Sequence, residues 1–544
     1  MQSTHILEPI SDLVWRTRYC WLEPGRLPEP SIEATWDRVA LAVSKAETHH
    51  RDEWRERFRT ILHDFRFLPG GRTLASAGTA HHSTLFNCFV AGPIEDSIQG
   101  IFNALREAMV TLQAGGGVGV DFSTLRPTGA QAVASAGVAS GPVSFMHVWE
   151  AAYTALASHN VRRGAMMATL RCDHPDIEAF IDAKMAGAAL AHFNLSVAIS
   201  DDFMRAVETD SPWPLVFPLA QHPVPVGGEV CERVWSGDTT PRLCLVHRRV
   251  PARLIWDKLL TAQLACAEPG ILFLDRINRD NNLWYSEQIA TTNPCGEVPL
   301  PPHGGCNLGA INLTRFVQDP FAAHPLVDWV GLKAVAGIAT RFLDDVHDIS
   351  LLPLKAQEKT VRASRRIGLG VTGLADMLAM LGLRYGSEAS LDLTRAIMGA
   401  IRDTAYSTSV EIAREKGPFP EFDKIKYGAS PFVLGLSHEL QDGIAEHGIR
   451  NSHLLAVAPS RTISLLANKV SSGIESTAAD ISPEEQLHMM SVVQSCVDSA
   501  ISKAVHLPQG TRPQELELVL LQAWELGLKG CVVYREGSVG GEAE

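Results

Sequence analysis

With 544 residues, 46% of them apolar and 20% charged, the chain has the composition of an ordinary globular protein and exceeds the usual single-domain size. Its formal net charge of −13 argues against a surface built for DNA or RNA, while a local site for a small anion remains compatible with it. The first residues, MQSTHILEPISDLVWR, carry acidic groups early and no apolar signal-like stretch. No run approaches the ~18 apolar residues of a membrane span, so a cytoplasmic protein away from membranes is expected.

Residues 1–66 read as amphipathic helices. Trp36, Val39, Ala40 and Val43 recur at helical spacing, as do Trp54, Phe58, Ile61 and Leu62. The FLPGG stretch at 67–71 breaks the pattern and marks the expected boundary between a helical domain, 1–66, and the remainder, 67–544. Residues 84–90 (TLFNCFV) are strand-like and hold Cys88. Asp96 or Ser97 then caps a helix whose apolar stripe is Ile98, Ile101, Leu105, Ala108, Met109 and Leu112. Gly115, Gly116 and Gly117 end it, ahead of a strand over 118–122.

Residues 160–167 (NVRRGAMM) form a basic, glycine-containing loop, and Asp173-His174-Pro175 reads as a helix start. Residues 270–274 (GILFL) suit a strand buried on both faces. Helices dominate from 326 to 416, interrupted at 367–373. Strands alternating with helices favour an α/β architecture.

The stretch at 291–300 reads TTNPCGEVPL. Pro294 and Gly296 suit neither a regular strand nor a helix interior, so the segment is expected to be a loop. Asn293, Cys295 and Glu297 lie two apart, and in an extended segment all three leave from the same side. An amide, a thiol and a carboxylate would then crowd a few ångströms of backbone. Ten cysteines are present, none in a C-x-x-C, so neither a zinc site nor a secreted disulfide framework is expected and no metal ligands are assigned. The default for each is a small buried hydrophobe.

Two motifs mislead. Gly368, Gly370 and Gly373 fit G-x-G-x-x-G, but VRASRRI precedes them and Leu393 stands where a dinucleotide site wants an acid. Close backbone packing accounts better for these glycines. Residues 345–350 (DVHDIS) nearly copy a cobalamin-ligating D-x-H-x-x-G, yet Ser350 replaces the glycine, and His347 reads as an ordinary satisfied histidine.

Set beside NPCGE at 293–297, four further stretches share one resemblance: FNCFV at 86–90, GCNLG at 305–309, RRGAMM at 162–167, and PSRTIS at 459–464 with VSSGIE at 470–475. Together they resemble the catalytic subunit of ribonucleotide reductases, most closely the adenosylcobalamin-dependent class II enzymes. The resemblance implies a ten-stranded α/β barrel of two five-stranded parallel halves after a helical domain, with residues 291–300 as a finger loop inside it. It implies that Cys295 carries a thiyl radical, that Glu297 acts as general base on the ribose 3′-OH, and that Asn293 orients the ribose. Cys88 and Cys306 would be the dithiol that supplies reducing equivalents. Thr73, Asn87, Gly117, Ser460, Arg461, Thr462 and Ile463 match substrate-binding positions. Asp96, Ser97, Ile98, Arg126, Arg162 and Arg163 match positions for a dNTP effector, and a homodimer is expected.

Class I subunits receive the radical through two adjacent tyrosines, and none of the seven tyrosines here are adjacent. Cys531 to Gly537 (CVVYREG) resembles the class II ending, whereas Gly540-Gly541 does not match the class III glycyl loop. Adenosylcobalamin is therefore the expected cofactor. A class I-type subunit needing a radical-generating partner is the alternative, followed by a catalytically dead nucleotide-binding regulator. No cysteine follows Cys531, so an external dithiol reductant or a separate tail-bearing polypeptide is expected to re-reduce the active site.

Overall fold

The structure is a computed structural model that describes residues 7–22, 27–81, 83–130, 137–157, 164–185, 187, 189–219, 228–476 and 480–536. The chain opens with α1 (Pro9–Val14), α2 (Ile32–Val43) and α3 (Arg51–Leu62). Helix α2 buries Ile32, Thr35, Trp36, Val39, Ala40 and Val43, the stripe that its spacing predicts. Helix α3 buries Phe58, Ile61 and Leu62, and Phe58 meets Phe342 edge-on at 5.2 Å. Just before α3, Glu47 accepts from Arg341 at 2.6 and 2.9 Å, a buried fork that fastens the helices to the rest.

The FLPGG stretch is not a free linker. Its first residues form β1 (Phe67–Pro69), and α4 (Gly71–Ser76) follows directly. Strand β2 is shorter than residues 84–90 suggest, spanning only Cys88–Val90. Next come α5 (Ile98–Gln113), capped by Ser97, β3 (Gly117–Asp121), α6 (Gly141–Ala157), β4 (Met166–Arg171) and β5 (Phe193–Ile199). A peripheral three-stranded sheet holds β6 (Pro212–Pro218), β7 (Val230–Val234) and β8 (Pro241–Pro251), and β9 (Gly270–Phe273) returns to the main sheet. No helix starts at Asp173-His174-Pro175. The His174 ring instead accepts from the Asp176 amide at 3.0 Å in a turn, and the helix begins at Ile177.

The chain continues through β10 (Thr291–Thr292), β11 (Pro299–Leu300), β12 (Gly305–Asn312), a small hairpin of β13 (Val317–Gln318) and β14 (Leu326–Val327), β15 (Ile367–Thr372), β16 (Ala504–Leu507) and β17 (Gly530–Arg535). Strands β2, β3, β4, β5 and β9 run parallel side by side. Strands β12 and β15 are parallel, as are β16 and β17. The two sets meet antiparallel, β12 against β2 and β17 against β9, while β1 joins beside β12. Of the two expected five-stranded parallel halves, one is complete, whereas in the other β1 runs antiparallel to β12, and among the described residues the ladder of this ten-stranded sheet does not close as an unbroken barrel. Between β15 and β16 only single bridges run, Leu369 to Leu455 and Val457 to Ile501. All eight residues of β12 and all four of β9 are buried, as parallel strands covered on both faces should be. Among the described residues no helix is long and apolar enough to cross a membrane.

Candidate active site

Strands β10 and β11 pair antiparallel and form the stem of the loop at 291–300. The stem lies so close to β3 that a Cβ on Gly119 would fall 1.8 Å from the Thr292 carbonyl oxygen, which only glycine permits. Val298 and Leu300 pack with Cys88, Val90, Cys306, Leu308 and Ala456 in one buried apolar cluster, so the loop is seated on the two strands that carry the cysteines.

At the tip, the Gly296 amide donates to the Asn293 carbonyl at 3.1 Å, closing a turn with Pro294 in its second position. Gly296 takes φ +89, a conformation suited to glycine. The segment is therefore a turn and not extended, so the two-residue period that would put all three side chains on one side does not apply to it. Asn293 and Glu297 are buried and face Cys88, whereas Cys295 stands exposed at the tip.

The Asn293 amide donates to the Cys88 sulfur at 3.2 Å, while its carbonyl oxygen accepts from the Val298 amide at 2.9 Å and the Thr292 hydroxyl at 3.1 Å. The Cys88 thiol in turn lies 3.6 Å from Glu297 Oε1. Glu297 Oε2 is buried with no protein partner. Burial raises the Glu297 carboxyl above its usual range, and the hydrogen bonds from Asn293 and Cys88 only partly oppose this.

Cys88 and Cys306 are direct partners in the β2–β12 register. Antiparallel partners have Cα atoms roughly 4.5–5.5 Å apart, inside the span a disulfide needs. Both are buried free thiols. Burial pushes both thiols up, and the Glu297 charge adds to this, so both stay protonated at neutral pH. The Cys295 surface is open, yet the group sits deep within the strands, and burial followed by Glu297 also pushes its thiol up, against the charge of Arg461. Nothing lies within 4 Å of where a Gly296 Cβ would stand, so there is open space beside the tip.

A cavity of about 290 Å³ adjoins this centre, with Asn87, Ser460, Thr462 and Ile463 in its wall. Four of the expected substrate positions thus converge. Thr73 is buried instead, its hydroxyl donating to the Leu85 carbonyl at 3.3 Å, and Gly117 packs against Pro294 as a support for the loop. Ser460 donates to the Thr372 hydroxyl at 2.8 Å and accepts from the Gly473 amide at 3.0 Å, which fixes its place. Asn87 Oδ1 is buried without a protein partner.

Sequence reading missed Arg18 and Arg72, which also line the cavity. Arg72 directly precedes Thr73 and was legible as a neighbour. Arg18 sits in what looked like a plain helical segment, and only the packing of that segment against α4 brings it here.

Of the expected effector residues, Asp96 and Arg126 engage each other. Arg126 Nε donates to Asp96 Oδ2 at 2.8 Å, and its backbone amide donates to Oδ1 at 3.2 Å. Ser97 caps α5 by accepting from the Gly100 amide at 3.0 Å, and Ile98 is 66% exposed on its first turn. Arg162 and Arg163 lie outside the described residues. His347 is buried, with Nε2 2.7 Å from the Arg366 carbonyl oxygen, and burial lowers its pKa to about 3. The G-x-G-x-x-G glycines serve close packing, since a Cβ on Gly370 would lie 2.4 Å from the Ala456 carbonyl oxygen.

The chain matches the family model of the ribonucleotide reductase barrel domain over residues 86–479 and 476–534, and that of the ribonucleotide reductase all-alpha domain over 7–82. It is 36% identical over 580 residues to the vitamin B12-dependent ribonucleoside-diphosphate reductase of Mycobacterium tuberculosis strain CDC 1551 / Oshkosh, covering 97% of this chain and 79% of that one. A protein of the same description from Thermoplasma acidophilum is 31% identical over 578 residues, covering 98% and 71%. The ribonucleoside-diphosphate reductase large subunit of vaccinia virus is 29% identical over 442 residues, covering 76% and 55%.

Proposed function

Because the chain belongs to the ribonucleotide reductase family, we propose that it reduces ribonucleotides to 2′-deoxyribonucleotides with adenosylcobalamin as its radical source. The observation that carries this reading is the convergence of Asn293 and Glu297 on Cys88, beside Cys306 and beneath the Cys295 tip. In this reading residues 1–66 and 67–544 are the two domains.

Cys295, as a thiyl radical, would take the ribose 3′-hydrogen. Glu297 would receive the 3′-OH proton, and Asn293 would hold the ribose. Loss of the 2′-OH as water then leaves a carbon to be reduced, and Cys88 and Cys306 would deliver two hydrogens and close as a disulfide. The high proton affinity of both thiols suits hydrogen donation, because a thiolate has no hydrogen to give. At the end Cys295 would return its hydrogen to the 3′ carbon and be left again as the thiyl radical.

The substrate phosphates would lie among Ser460, Thr462 and the arginines of the cavity, with Thr73, Gly117 and Arg461 in support. The exposed Cys295 tip and the open space beside Gly296 would leave room for a bulky cofactor near the thiol. When bound, the cofactor supplies the radical that Cys295 takes up. Asp96, Ser97, Ile98, Arg126, Arg162 and Arg163 would bind a dNTP effector, and the exposed start of α5 would pair two subunits.

The test is reduction of CDP and CTP with and without adenosylcobalamin. Deoxynucleotide should form only with the cofactor. Product that instead requires a second, di-metal subunit would overturn the reading.

A further inference from the structure

The peripheral sheet holds a second cysteine pair that the reaction does not use. In the register of β7 against β8, Cys231 and Cys244 are direct partners. Both belong to the apolar cluster under that sheet, with Val216, Phe217, Trp235 and Val246. The Val246 amide donates to the Glu229 carbonyl at 2.9 Å. Cys231 and Cys244 lie two positions further on both strands, so they too are a hydrogen-bonded pair with side chains on one face. Such partners have Cα atoms about 5.5 Å apart, within the roughly 4.4–6.8 Å of disulfides.

The two thiols differ in access. Cys231 is half-buried on β7, the edge strand, and Cys244 is fully buried on the central strand. Burial, and then the neighbouring Cys231, pushes the Cys244 thiol up to about 12. Cys231 is thus the thiol that an incoming oxidant meets first, with Cys244 waiting behind it. An edge strand can also shift to bring the sulfurs together, because only one side of it is hydrogen-bonded.

We propose that Cys231 and Cys244 form a reversible disulfide that senses the thiol redox state around the protein. The oxidant is a low-molecular-weight disulfide of the glutathione class. Cys231 attacks one of its sulfurs and releases the first thiol, leaving a mixed disulfide. Cys244 then attacks the Cys231 sulfur and releases the second. Two protein thiols are oxidised, one small disulfide is reduced to two thiols, and the two protons end on those thiols.

The bond has a path to the rest of the fold. Trp235 follows β7 directly, and its Nε1 donates to the Ser123 carbonyl at 3.1 Å. Arg171, at the end of β4, lies over the Trp235 ring at 4.7 Å, and its backbone amide donates to Ser123 Oγ at 3.0 Å. Pinning β7 to β8 therefore holds Trp235 on the loop that leads from Ser123 to Arg126. The disulfide itself does not depend on the reductase reading; only its meaning for effector binding does.

The test uses the full chain equilibrated in glutathione and glutathione-disulfide buffers, followed by peptide mapping without reductant and by hydrogen exchange. We expect a linked peptide joining Cys231 and Cys244, two hydrogens lighter than the free pair. It should be lost on reduction and absent in Cys231→Ser. Exchange should slow in β7 and over residues 123–126 on oxidation of the wild type but not of that variant. No linked peptide, or a linked peptide with unchanged exchange at 123–126, overturns the proposal. Neither readout involves nucleotide reduction, so a chain that reduced no nucleotide would still give a clear answer.

Discussion

The Asn293 side-chain amide donates to the Cys88 sulfur at 3.2 Å, joining a loop to a strand 205 residues away in sequence. The same side chain accepts from the Val298 amide, so it holds both the thiol and the far side of its own turn. Asn293→Ala would leave that buried amide without a partner, a loss of about 1–3 kcal/mol. A lower urea midpoint with an unchanged m-value is the expected result. An unchanged midpoint would mean that the loop does not depend on Asn293.

Cys295→Ser should abolish product formation while nucleotide binding survives. Asn87, Ser460 and Thr462 shape the cavity wall, and Cys295 is not part of it. Equilibrium binding of a ribonucleotide measured beside product formation separates the two effects. Measurable deoxynucleotide from the variant would remove Cys295 from the radical role.

The sequence carried the chemistry of this site further than its shape. Asn293, Glu297, Cys88 and Cys306 were legible through the resemblance of their motifs to the family, and they do meet. The turn itself was not legible, since the two-residue period holds only for an extended chain and this segment closes on the Gly296 hydrogen bond instead. The helical stripe of α2 was readable because burial of one face leaves a local pattern, whereas in α5 only Ile101, Ala108 and Leu112 of the expected stripe are buried and Ile98 is exposed. Pairing of β12 with β2 and of β17 with β9 has no such pattern, because partners far apart in sequence leave no local mark. Arg18 belongs to the same class of omission, and so does the facing of Cys231 and Cys244, which only strand register creates.

Glu297→Gln separates catalysis from stability. As a general base Glu297 is worth about 10²–10⁴-fold in rate, and the variant should lose that. The same substitution should stabilise the fold at neutral pH. Burial raises the native pKa above the ordinary 4.5, so the folded state holds this proton more tightly than the unfolded state does. Below the unfolded pKa both states are protonated and the penalty is absent. As pH rises through the native pKa, the fold must carry a buried charge and loses stability. The advantage of the glutamine variant should therefore be largest at neutral pH and vanish below about 4.5. Thermal unfolding of both proteins across that range is the measurement, and equal stability at neutral pH would contradict the buried charge.

Effector control should run through Asp96 and Arg126. Their ion pair has both partners about one-quarter exposed, 28% and 25%, so an incoming dNTP can reach it and exchange the contacts. dTTP, dATP and dGTP are expected to change the ranking of substrate bases, and Arg126→Ala should flatten it with little effect on basal rate. A base preference that stays the same across effectors in the wild type would remove both residues from this role.

The final expectation concerns turnover without reductant. Cys88 and Cys306 supply one pair of hydrogens, and both are buried beneath the loop at 291–300, where a folded reductase protein cannot reach them. Reduced protein given substrate and cofactor alone should make about one product per active site and stop. A small dithiol should restart it. Cys496 and Cys531 are 3% and 2% exposed, so neither presents a thiol to a protein partner. Sustained turnover with thioredoxin as the only reductant would therefore require a different relay. Comparing wild type with Cys231→Ser under those conditions decides whether the half-buried pair on the peripheral sheet supplies it. If both proteins stop after one product, electrons enter only through small dithiols or a flexible peptide thread.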